Sequence, residues 1–165
     1  MNLPESFRRY GIEVFTKTPE IAHKWSTESG RCELSIPASS PSGFNIHFVV
    51  ELDTVTLNWG AWHTHIEQEA GIDTFVEGLF ALLRDMLSPD MRIRELYTWP
   101  FAYRGFLESF DGTQWSTEQV TGMIFWNYFG KRTVRTYSNS MFPGRMSKAD
   151  QGTAPDQSHG VDDAD

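Results

Sequence analysis

Between Ile72 and Leu87 the residues Ile72, Phe75, Val76, Leu79, Phe80, Leu83, Met86 and Leu87 recur at intervals of three and four, with Asp73, Glu77, Ala81, Arg84 and Asp85 between them. That spacing gathers the large apolar groups on one face of a 3.6-residue period and predicts an amphipathic helix over about residues 73–88. Thr74 and Glu77 read as a capping box at its start. Ser88-Pro89 ends it, because a proline ring disfavours helical geometry in the residue before it. A helix apolar on one side has to cover something, and its neighbours in sequence have strand patterns. The expectation is a helix packed on a sheet.

Phe44, Ile46, Phe48, Val50 and Leu52 alternate with Asn45, His47, Val49, Glu51 and Asp53, and Val55, Leu57 and Trp59 continue the alternation against Thr54, Thr56 and Asn58. A two-residue turn at Asp53-Thr54 sets Leu52 opposite Val55, Val50 opposite Leu57 and Phe48 opposite Trp59, so both apolar sets share a face. Arg31 to Ile36 alternates in the same way, and the Pro- and Ser-rich stretch 37–43 reads as a loop. Upstream, residues 4–10 predict a helical turn, 12–17 a strand and 20–28 a short helix. Downstream, 91–99, 101–110, 120–129 and 132–137 read as strands, and 111–119 as a polar loop. Residues 123–129 are apolar on both faces, as a central strand is, whereas 132–137 carries the charge of an edge. The fold class is therefore α+β: a mostly antiparallel sheet of about six to eight strands with one main helix packed on it.

Residues 1–146 read as a single domain of a size able to bury a core, and 147–165 as a disordered acidic tail. The formal charge is −8, of which the tail, with five Asp and one Lys, carries −4. Such a balance opposes a grip on double-stranded nucleic acid and suits a basic protein partner. A homo-oligomer is compatible with it. Cys32 is alone and reads as a small residue within a strand. No signal peptide or membrane-length apolar run is seen, so a cytoplasmic location without membrane contact is expected.

Chemistry concentrates around His63, His65 and Glu69. Two imidazoles two residues apart on a strand project to one side, and a nearby carboxylate would complete a facial set for a divalent metal. The His-x-His-x3-Glu spacing resembles the first motif of the cupin barrels, over seven residues. It departs from that family where Leu57 stands for the leading glycine, where a helix follows, and in having no second histidine motif downstream. If the strand continues straight, His63 and His65 fall on the Leu57 face; a bulge at Gly60 would instead turn Trp62 inward and bring His63 to the side of His47. The alternative to a metal is that these histidines only hydrogen-bond among aromatics.

Serine-hydrolase, thiol and phosphate-loop signatures are absent, so the sequence leans away from catalysis. Trp59, Trp62, Trp99, Tyr97 and Tyr103 are the candidate binding aromatics, and Trp59, Trp62 and Trp126 would line an apolar ligand pocket between sheet and helix. Arg92, Arg94, Arg104, Lys131, Arg132 and Arg135, interleaved with aromatics, suit single-stranded nucleic acid, an acidic peptide, or simply a solvated outer face. In size, charge and layout the chain is similar to small acidic bacterial proteins, among them immunity proteins that neutralise a toxin. That resemblance implies a non-enzymatic protein that binds another protein. A metal-binding protein and a small-ligand domain are the alternatives.

Overall fold

The computed structural model describes residues 1–69, 71–98, 101–122 and 131–144. The expected strand over 123–129, Trp99, Trp126 and the expected tail lie outside them. Asn2 opens the first helix, α1 (Leu3–Lys17): its side chain accepts from the Glu5 N–H at 3.0 Å, and the Glu5 carboxylate accepts from the Asn2 N–H at 3.2 Å. This reciprocal cap satisfies two of the N–H groups that a first turn leaves without partners. Leu3, Phe7, Gly11 and Phe15 then repeat every four residues, and all are buried. The expected strand over 12–17 is thus the second half of a helix. Its β-branched residues are overridden by a buried stripe at helical spacing.

Five strands follow as an antiparallel meander, and the first of them takes up most of the span 20–28 that was expected as a helix. They are β1 (Lys24–Glu28), β2 (Arg31–Ile36), β3 (Ile46–Val50), β4 (Thr54–Trp59) and β5 (Trp62–Glu67), in that spatial order. The β3–β4 hairpin differs from expectation in register: Val50 faces Val55, Phe48 faces Leu57 and Ile46 faces Trp59. A shift of two residues leaves every side chain on its expected face, since the strand period is two. It also leaves Leu52, expected inside, 69% exposed in a longer connection that is closed by the Glu51 N–H on the Thr54 carbonyl at 2.9 Å. Asp-Thr lacks the positive φ that a two-residue hairpin turn demands.

Gly60 supplies it at the next corner. At φ +60°, followed by Ala61, it closes a two-residue turn with Trp59 opposite Trp62, so the strand neither runs straight on nor bulges. The second helix, α2 (Ile72–Met86), starts at Gly71 without a side-chain cap, so Thr74 and Glu77 lie inside it rather than forming the expected box. Val76, Leu79, Phe80, Leu83 and Met86 are buried, and Asp73, Glu77, Ala81, Arg84 and Asp85 are exposed, as the periodicity predicts.

A second antiparallel sheet holds β6 (Met91–Thr98), β7 (Phe101–Phe110), β8 (Trp115–Gly122) and β9 (Arg132–Ser138), in the order β8-β7-β6-β9. Residues 115–119, expected as loop, pair with β7, and among the described strands β9 lies at the sheet's edge as expected. The architecture is α+β with two sheets where one was expected. In the first sheet Leu34, Ile46, Phe48, Val50, Leu57 and Trp59 are fully buried or nearly so. The helices pack on each other, with α1 against β2 and β3 and α2 against β6. Buried Asn139 ties the end of β9 to this core: its amide donates to the Phe44 and Met86 carbonyls, both at 3.1 Å, and its oxygen accepts from the Phe44 N–H at 3.3 Å. Among the described residues no helix is long and apolar enough to cross a membrane.

Cys32 sits within this core, and burial pushes its thiol above its ordinary value although Arg8 acts in the other direction. A chromogenic disulfide reagent is therefore expected to find no reactive thiol in the folded protein and one equivalent after unfolding in guanidinium. Rapid labelling under native conditions would contradict this placement.

Candidate functional site

The turn at Gly60 decides where the histidine cluster goes. Trp62, Thr64 and Ile66 point inward while His63, His65 and Glu67 are exposed on the outer face of β5. His63 therefore shares a face with His47, but Asn58 stands between them in the ladder. The His63 and His65 rings lie edge to face with centroids 5.4 Å apart. His65 Nδ1 is 3.0 Å from the Thr56 hydroxyl, and His47 Nε2 is 3.4 Å from a Glu33 carboxylate oxygen. Glu69 is exposed beyond the end of the strand. Among the described residues no group of three or more His, Cys, Asp or Glu side chains gathers in a way that could hold a metal ion. Two imidazoles alone leave a tetrahedral or octahedral ion mostly to water.

The aromatic candidates divide between core and inter-sheet contact. Trp59 is completely buried. Trp62 bridges the two sheets: its indole N–H donates to Glu95 Oε1 at 2.7 Å, and the ring lies so close to the Gly105 backbone that a Cβ there would come within 2.5 Å. Only glycine admits the indole. The Tyr97 hydroxyl donates to the other Glu95 oxygen at 2.6 Å, so this buried carboxylate has two donors. Tyr103 is half-buried on β7. Neither Trp59 nor Trp62 lines the two grooves described next.

β4, β5, α2 and the second sheet converge on a groove of about 570 Å³. Leu57, Ile66, Leu82, Met91, Leu107 and Phe110 form its apolar wall. Asp85, Asp90 and Glu118 bring carboxylates to it, and Ser109 donates to Glu118. No Lys, Arg or His is among the described residues that line it. Glu118 arrives there through a bulge: Leu107 pairs with Gln119 and Glu108 with Thr117, so Glu118 is the extra residue on β8. A larger groove of about 840 Å³ between α1, α2 and residues 142–144 carries both signs, lined by Lys17 and Arg84 as well as Glu77, Asp85 and Asp90. Only the smaller one is selective by charge.

The chain matches no protein-family model, no curated protein and no solved structure. Geometry therefore carries the functional argument. The sequence had no means to join these groove residues: Asp85 reads as the solvated side of a helix, and Glu118 falls in an expected loop. Their meeting depends on how the second sheet docks.

Proposed function

We propose that this is a non-enzymatic binding protein whose groove takes a basic, amphipathic segment of another protein. The observation that carries the reading is an apolar wall bordered by three carboxylates with no cation among its described lining residues. A Lys or Arg side chain fits such a surface, laying its alkyl stem on the wall while its charged head meets the acids. The formal charge of −8 adds long-range attraction for a basic partner. Each exposed ion pair is worth only about 0.2–1 kcal/mol. Apolar contact, at roughly 25 cal/mol per Å², supplies most of the affinity and the carboxylates choose the partner. An immunity-like role, which the resemblance to small acidic bacterial proteins implies, would have such a protein cover the basic surface of a toxin.

Peptide display on the full chain is expected to enrich sequences that join Lys or Arg to Leu, Phe or Trp. The enriched peptides should bind about tenfold more weakly to the double variant Asp85→Asn, Glu118→Gln, at an unchanged melting temperature. An enriched set without basic peptides, or basic peptides indifferent to both substitutions, would remove the groove from consideration.

A further inference from the structure

The outer face of the four-stranded sheet has the opposite character. Along β6, Met91, Ile93 and Glu95 are buried while Arg92 and Arg94 alternate with them and point away from the core. The Nε–H groups of both arginines donate to the two oxygens of Glu108, each at 2.7 Å, and Glu108 is only 4% exposed. The Arg92 guanidinium lies 3.8 Å over the Trp115 ring and that of Arg94 4.0 Å over Phe106, with Arg104 5.7 Å from the same Phe106 ring. Among Arg92, Arg94, Arg104 and Glu108 the charges leave a surplus of two positive on this face, in a chain of net charge −8. In Arg92 and Arg94, with Nε committed and the planes held by the rings, the Nη hydrogens are the donors left for a ligand. Val120 and Val134, 49% and 60% exposed, flank the arginines.

We infer that this face binds an extended acidic segment of a partner protein, carboxylates on Arg92, Arg94 and Arg104 and aliphatic side chains on Val120 and Val134. Arginine forks match carboxylates with two parallel hydrogen bonds, and guanidiniums already held in place lose little freedom on binding. Single-stranded nucleic acid fits less well. The rings that would stack on bases are capped by guanidiniums. The site is separate from the acidic groove, so the two readings stand or fall independently.

The test is fluorescence anisotropy of a labelled peptide of alternating Glu and Val with the full chain at low salt. Saturable binding is expected, weakened roughly fivefold by Arg104→Gln and unchanged by Asp85→Asn. Arg104 is exposed, so its substitution leaves the fold intact, and a thermal melt of the variant verifies this. No binding, or binding that Arg104→Gln leaves unaltered, overturns the inference. Stronger binding of a charge-matched oligothymidine than of the peptide overturns it too, and assigns the face to nucleic acid.

Discussion

Phe48→Ala is expected to lower the unfolding free energy by about 4 kcal/mol, the upper range for emptying a packed core position. Phe48 is completely buried in the central strand of the five-stranded sheet, and its ring lies 5.6 Å from that of Phe7 on α1. Phe7 in turn packs against Phe80 of α2, with ring centroids 4.9 Å apart, so one ring column joins the sheet to both helices. Strands paired on both sides cannot close in on the space left by a missing ring, and the cavity term adds to the lost transfer energy. Urea denaturation measures the effect directly. A loss under about 1 kcal/mol with an unchanged slope would mean that the helices do not rest on this face of the sheet.

Glu95→Ala is expected to cost about 3 kcal/mol, because it leaves the indole N–H of Trp62 and the hydroxyl of Tyr97 without their acceptor at the junction of the sheets. A second readout separates this from a simple packing defect. Burial, followed by hydrogen bonds to Glu95 and Tyr137, raises the Tyr97 phenol well above its ordinary value of 10.0. The folded state thus keeps a proton that the unfolded chain gives up. Its stabilising contribution is complete below pH 10 and is lost as pH rises through the higher folded value. In Glu95→Ala the phenol is expected to ionise at lower pH than in the parent, seen as phenolate absorbance. If Tyr97 titrates alike in both proteins, the Glu95 contact does not hold it.

Where sequence and structure agree, a local and directional pattern carried the information. The stripe on α2 and the alternation in β2, β3 and β4 need only the helical and strand periods to be read, and the buried residues follow them. The α1 helix was also readable, through Asn2 and Glu5 at capping-box spacing, but the β-branched residues from Ile12 onward competed with that signal. For the candidate sites, parity mattered more than pattern. A turn at Gly60 turned Trp62 inward and His63 outward, and a single extra residue at Glu118 put Trp115 on the arginine face and Glu118 in the groove. With period two, one residue more or less reverses every side chain beyond it.

By itself, then, the sequence determined the class of the fold, the buried face of α2 and the inward sets of β2 to β4, since burying apolar surface depends on spacing that each segment carries alone. Only the tertiary structure decided that the strands divide into two sheets, that Trp62 and Glu95 meet between them, and that an acidic groove and an arginine face lie on different sides of the second sheet. Those outcomes depend on contacts between residues tens of positions apart. No local propensity encodes them, because each is fixed by what the other segment offers across the interface.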